Sequence, residues 1–335
     1  MSGRLTTMRP TTMPALVPAV VPDVARRVRV FAAADGSGGN PAPIVLDARG
    51  MDEARMRAVA AEAGHESGFV LPAEAGADAD FRFRFFVPRH EMEMCGHATV
   101  GALWCLREAG LWTASSARIQ TLSGPVEGFV RDAGTPSARL EITQPVGRVE
   151  AIEDPAALRR IADVLGVSAD DLLPHPVLNA ATSRVKTLVA LRSVAVLDGL
   201  EPDFPRMERL CEDIGSTGLY PFAIESLERR SFHARQFPKS SGYPEDAATG
   251  IAAAALLFGL QSLGLVPVDD EEVLVHQGRA MGHGSEIRVR FHRAPDGGLL
   301  GCFLGGRVVA DDGPAHGVHG SHGNHGNHGN HGVGA

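Results

Sequence analysis

The chain has 335 residues, 44% of them hydrophobic, which is enough to bury the cores of two domains of ordinary size. Its formal net charge of -8 gives no bulk attraction to nucleic acid or to anionic lipid, so partners of those kinds are not expected. The four cysteines, Cys95, Cys105, Cys211 and Cys302, form no CxxC pair, which argues against a zinc ribbon or dithiol redox site and fits reduced thiols in a cytoplasm.

Residues 1–26 carry Arg4 and Arg9 and then an apolar run broken by Pro18 and bounded by Pro14 and Pro22. They read as a disordered leader rather than a signal peptide, and no run in the chain is long and apolar enough to span a bilayer. Val28–Phe31 alternates like a strand, and a Gly-rich loop through Asn40 and Pro41 leads to a second strand at Ile44–Leu46. Met51–Ala63 has helical spacing, with Met56, Val59 and Ala60 on one face. Phe69–Leu71 and Phe81–Val87 read as strands. Cys95–Ala109 reads as a helix that is apolar almost all round, the pattern of a helix buried at the centre of a domain.

The second half repeats the plan. Strands alternate with short helices from Arg139 onward, and Ala248–Leu257 is again a small-residue helix without a polar face. Two such helices, each preceded by a polar, acidic loop, indicate a duplicated unit. The predicted fold class is α+β: two pseudo-symmetric domains, each a curved, mostly antiparallel sheet wrapped around a central apolar helix, with both helix N-termini aimed at a shared cleft. The domains are placed at 27–145 and 146–312. Residues 313–335 are a His/Gly/Asn tail with histidines at a period of three from His316 to His331. With so little to pack it is expected to be disordered, and at most to bind a divalent metal adventitiously.

No Walker A, GxGxxG, GxSxG or HExxH signature is present. Candidate chemistry therefore rests on acid–base residues beside the two buried helices. Glu66 stands between a helix and an apolar strand, where burial would raise its pKa and make it a better proton shuttle; the plainer reading is a solvated helix-end glutamate. Glu91 precedes the first buried helix, and His97 lies in that helix's first turn, where the dipole disfavours the imidazolium; the plainer reading of His97 is a buried capping histidine. Asp246 precedes the second buried helix, and its plainer reading is an N-terminal cap. The same device twice in one chain makes an anion clamp out of the two helix ends.

Five motifs in order resemble the phenazine-biosynthesis PhzF-like family, within the diaminopimelate-epimerase-like fold. They are Gly39-Asn40-Pro41, the Glu66 segment, Phe86 through Thr99, Glu245 through Gly250, and His276 through Gly282, and the resemblance spans about Val28 to Val309. It implies a cofactor-independent isomerase that moves a proton, with its double bonds, on a small acidic metabolite of secondary metabolism. Glu66 would be the proton shuttle, assisted by His97 and Asp246, with no metal and no cofactor. Asn40, Gly96, Ala98, Thr249, Gly250, Ile251 and Gln277 would bind the substrate; Glu91 would be structural, and a homodimer is the family expectation. Two departures stand out. Ile251 occupies a place where the family has serine, and Gly282-His283-Gly284-Ser285 replaces Gly-Arg-Pro-Ser. The loss of a hydroxyl at Ile251 predicts a substrate less polar on that side.

Two other readings remain. In an amino-acid epimerase of this fold, two thiols act from opposite faces of the substrate; Cys95 fills one position, but Thr249 fills the other, so Cys95 reads as a packing residue. A non-catalytic binding protein that keeps the fold is the reading outside enzymes.

Overall fold

The computed structural model describes residues 25–135, 138–239 and 243–311. The leader and tail expected from sequence lie outside the described residues, except that Ala25 and Arg26 already belong to the first strand.

The N-terminal half contains β1 (Ala25–Ala32), β2 (Asn40–Val45), α1 (Glu53–Ala63), β3 (Ser67–Pro72), β4 (Phe81–Phe86), β5 (Glu91–Met92), α2 (Gly96–Glu108), β6 (Ser116–Thr121), β7 (Gly124–Arg131) and β8 (Arg139–Gln144). The C-terminal half contains β9 (Arg148–Ala151), α3 (Pro155–Leu165), β10 (Leu178–Ala181), β11 (Lys186–Leu191), α4 (Val194–Asp198), α5 (Phe204–Asp213), β12 (Gly218–Ser226), β13 (Ser231–Ala234), β14 (Phe237–Pro238), α6 (Gly250–Ser262), β15 (Val273–Gln277), β16 (Ser285–Arg293) and β17 (Leu299–Ala310).

Strand pairing closes the first half into a ring, in the order β1, β2, β3, β4, β6, β7, β8, β17 and back to β1. α2 runs inside it against β1, β2, β3, β8 and β17. The second half is an arc in the order β9, β10, β11, β12, β13, β15, β16, β17, curved around α6, which packs on β9, β10, β11, β16 and β17. β17 therefore belongs to both sheets. Its Cys302–Gly305 segment pairs with β16 on one edge and β8 on the other, and Arg307–Ala310 pairs with β1. The family fold expected from sequence, α+β with two helix-centred curved sheets, is what the chain adopts.

Small residues let the strands close on these helices. A Cβ at Gly259 of α6 would lie 2.2 Å from Leu188 Cδ1 of β11, so a side chain there would displace the leucine from its packed position. The other helices cover the outer faces. α1 lays Met56, Val59 and Ala60 on Val45, Phe69 and Phe86. α3, α4 and α5 bury Ile161, Val164, Leu197, Met207 and Leu210 against Val189, Leu191 and Phe237. α1 starts at Glu53, two residues later than the spacing predicts, because the Asp52 side chain accepts from Arg55 N–H at 2.8 Å and caps the first turn. Among the described residues, no helix is long and apolar enough to cross a membrane.

Candidate active site

The two central helices begin side by side. Gly96 opens α2 and Gly250 opens α6, and both rest on Leu304 of the shared strand. A Cβ at Gly96 would lie 3.1 Å from Leu304 Cδ2; one at Gly250 would lie 2.7 Å from the same methyl and 3.2 Å from the Phe31 ring. A side chain at either position would have to displace Leu304. Phe31 reaches α6 because it sits at a break in the β1–β17 register with φ of 64°, a left-handed backbone that costs a non-glycine residue about 1–3 kcal/mol. Neither Cys95 nor Thr249, the two N-cap residues, bonds the first turn of its helix through its side chain. The backbone amides there are left for an anionic group in the cleft.

Glu66, Cys95, Gly96, His97, Asp246, Thr249, Gly250 and Ile251 line one cavity at this junction. Glu66 enters it from the turn after α1, which ends at Gly64 in the left-handed conformation (φ 70°). Its Oε2 lies 3.4 Å from Cys95 Sγ and 3.5 Å from His97 Nδ1. Burial raises the Glu66 pKa, and the thiol hydrogen bond opposes this only in part. Burial and the Glu66 charge push the Cys95 thiol well up, so it remains a protonated donor to Glu66. Burial lowers the His97 pKa; the nearby Asp246 and a hydrogen bond to the Pro41 backbone work the other way. The ring is thus a neutral imidazole at physiological pH.

Asp246 is raised as well, by burial first and then by the Glu66 charge, against the pull of the Thr249 hydrogen bond. Thr249 Oγ1 donates to Asp246 Oδ2, and Asn40 Nδ2 donates to Asp246 Oδ1 at 2.9 Å and to the Ala248 carbonyl at 2.8 Å. Gln277 Nε2 donates to the Asp246 carbonyl at 2.7 Å, and its Oε1 accepts from Thr249 N–H at 3.2 Å and from Tyr220 Oη at 2.9 Å. Asn40, Gln277 and Ala98, to which the resemblance assigns substrate binding, are not part of the cavity lining; the amides of Asn40 and Gln277 hold the Asp246–Thr249 turn, and Ala98 is fully buried. Glu91 is held by Arg84 through two hydrogen bonds of 2.6 Å and takes no part in the cavity.

Two side chains that the sequence did not single out also face this cavity. Lys186, at the start of β11, is 5% exposed, and among the described residues its ammonium makes no hydrogen bond or ion pair. Burial pulls its pKa from 10.5 down to about 8. Gln236, 1% exposed, keeps both side-chain polar atoms without a partner among the described residues. A buried amide left unpaired costs about 1–3 kcal/mol, which a polar ligand group would offset. Arg184, Thr217 and Tyr243 complete the polar part of the lining.

Glu66, Cys95 and His97 offer three donor atoms within 4.8 Å of one another. As the groups stand, the protonated thiol donates to the Glu66 carboxylate, an arrangement suited to holding and moving a proton. A second cluster of this kind, Glu225, His233 and His276, lies outside the cavity.

Residues 28–298 match the family model described as phenazine biosynthesis-like protein, PhzC-PhzF. An uncharacterized isomerase of Deinococcus radiodurans is 36% identical over 270 residues, covering 78% of this chain and 84% of that protein. The crystal structure of the Bacillus anthracis phenazine biosynthesis protein of the PhzF family superposes with a TM-score of 0.75 at 26% identity, over 85% of this chain and 96% of that one. A probable proline racemase from Agrobacterium radiobacter shares the fold at a TM-score of 0.55 and 13% identity, over 86% and 90% of the two chains.

Proposed function

We propose, from the premise that the chain belongs to the phenazine biosynthesis-like PhzC-PhzF family and is an isomerase, that it moves a proton between two carbons of a small carboxylic acid without a cofactor. The observation that carries this reading is the Glu66 carboxyl, raised by burial and set between a thiol donor and a neutral imidazole at the meeting point of two uncapped helix ends.

A substrate carboxylate would lie on the first-turn amides of α2 and α6 with the Lys186 ammonium beside it. These groups favour the added negative charge of an enolate-like transition state, and a dry site strengthens them. Glu66, as carboxylate, takes the proton from one carbon; the electron pair moves along the conjugated system, and Glu66 returns the proton to a second carbon on the same face. A pKa raised toward neutrality suits a group that must act as base and then as acid. His97, a neutral imidazole 3.5 Å from Glu66 Oε2, walls in the carboxyl without adding charge. Asp246, raised and anchored by Asn40 and Thr249, serves as the opposing acid. Gln236 supplies donor and acceptor capacity to a polar substituent, while Ile251 contributes only methyl groups to the lining.

The epimerase reading needs a second base facing Cys95. Thr249 stands there and gives its hydroxyl proton to Asp246, which leaves no thiol pair. A nuclear magnetic resonance screen of unsaturated and amino-substituted carboxylic acids separates the two. Double-bond migration with wild-type protein, absent with Glu66→Gln, supports the isomerase. Inversion at a stereocentre without bond migration would transfer the assignment to an epimerase.

A further inference from the structure

Three strands of the second sheet bring two imidazoles and a carboxylate together away from the cavity. His233 of β13 and His276 of β15 are directly paired across a parallel ladder, with rings stacked at a centroid distance of 4.8 Å and an interplanar angle of 24°. Strand alternation turns both away from the core, which takes their neighbours Phe232 and Val275. The carboxylate comes from an irregularity in β12. Ile224 pairs with Phe232 and Ser226 pairs with Ser231, so Glu225 is the extra residue of a β-bulge. A bulge of this kind re-aims a side chain, and here it carries Glu225 over to the histidine pair.

The resulting distances are slightly longer than those of a ligand set. Glu225 Oε1 lies 3.6 Å from His233 Nε2, and Glu225 Oε2 lies 3.9 Å from His276 Nε2. All three donor atoms fall within 4.8 Å of one another. Ligand atoms around a tetrahedral zinc ion stand roughly 3.3–3.5 Å apart, given bonds of about 2.0–2.1 Å, so modest closure would accommodate the ion. Ser231 Oγ donates to Glu225 Oε2 at 2.5 Å, which orients the carboxylate as an outer-shell partner does, and it lies 3.2 Å from His276 Nε2, a contact that ion binding would replace.

Glu225 and His276 remain partly exposed, so an ion and a completing water can reach them.

We propose that Glu225, His233 and His276 form a binding site for a divalent transition ion, zinc in the first instance, that clips β12, β13 and β15 together. His276 is followed in β15 by Gln277, the residue that holds the Asp246–Thr249 turn, so the clip braces the wall of the cavity from behind. An imidazole pair with one carboxylate selects zinc-like ions over calcium or magnesium, which prefer all-oxygen shells.

The test is zinc titration of the full-length chain against a chromophoric chelator. The six tail histidines are replaced by serine in every protein, so that the tail cannot compete. The expected result is one tight equivalent of zinc and a zinc-dependent rise in melting temperature. Both should be lost in His276→Ala, and affinity should fall at least about 100-fold in Glu225→Gln. Glu225 is partly exposed and glutamine still accepts the Ser231 hydrogen bond, so that variant keeps the fold, which circular dichroism checks. No tight zinc in the tail-substituted chain would overturn the proposal. A tight equivalent that survives both substitutions would also overturn it, by placing the ion elsewhere.

Discussion

Lys186→Met is the substitution on which structure and function make opposite, measurable demands. The ammonium is almost fully buried and makes no ion pair among the described residues. The fall of its pKa from 10.5 to about 8 corresponds to about 3 kcal/mol at 1.36 kcal/mol per pH unit. The folded pKa is the lower one, so between about pH 8 and 10.5 the unfolded chain binds the proton more readily. The penalty is therefore present in full below about pH 8 and is relieved as pH rises toward 10.5. Methionine fills a similar volume without the charge. At pH 7 the variant should melt several degrees above wild type, and the difference should shrink by pH 10. Its catalytic efficiency should fall, since a hydrogen bond to a charged partner contributes about 1.5–3 kcal/mol, or roughly 10- to 100-fold. Because the ammonium holds the substrate carboxylate before and during proton transfer, most of the loss should appear in KM. Melting curves from pH 6 to 10 and steady-state kinetics on an isomerised acid give both readouts. A lower melting temperature at pH 7, or an unchanged KM, would refute the assignment of Lys186 as a buried carboxylate anchor.

Three further outcomes follow from the site. Ile251→Ser should shift preference toward the phenazine precursor by roughly 10- to 100-fold in kcat/KM, because it restores a hydroxyl partner worth about 1–3 kcal/mol; equal efficiencies before and after would show that Ile251 does not set specificity. Cys95→Ser should retain most of the turnover, since serine still donates to Glu66; a loss beyond about a hundredfold, or about 2.7 kcal/mol, in a folded variant would assign thiol chemistry to Cys95. Glu66→Gln should raise the melting temperature at pH 7.5 and leave it unchanged at pH 4. The folded pKa of Glu66 lies above its ordinary 4.5, so the group's stabilising contribution is complete below that value and is lost as pH rises through the folded value. A variant less stable than wild type at pH 7.5 would contradict the burial argument.

The parts legible in the sequence are those with a local signal. Small apolar runs at Gly96–Leu106 and Gly250–Leu260 have one use, a helix that strands must wrap closely, and they announced both central helices. Glu66 was legible by its place between a helix and an apolar strand, and His97 and Asp246 by their places beside those helices. Lys186 had no such mark. It opens an ordinary apolar strand, and only the order of strands in the second sheet carries it to a cavity shared with Glu66, 120 positions earlier in the chain. Asn40 and Gln277 show the converse. An amide that binds a ligand and an amide that holds a turn are the same residue in sequence, and only their hydrogen bonds distinguish them. The bulges that turn Phe31 onto α6 and Glu225 onto two histidines are register events between strands far apart in the chain, and an alternation pattern does not display them.

The central claim is that Glu66 carries the proton, and solvent isotope uptake tests it most directly. Wild-type protein is incubated with substrate in deuterium oxide, and the acid is followed by nuclear magnetic resonance, beside Glu66→Gln protein shown to be folded by its melting curve. The account predicts deuterium at the carbon that receives the proton with wild type. With the variant it predicts uptake slowed by about 100- to 10,000-fold, the range of general acid–base catalysis. Deuterium uptake by the variant at the wild-type rate would contradict it and pass the proton to another group in the cavity.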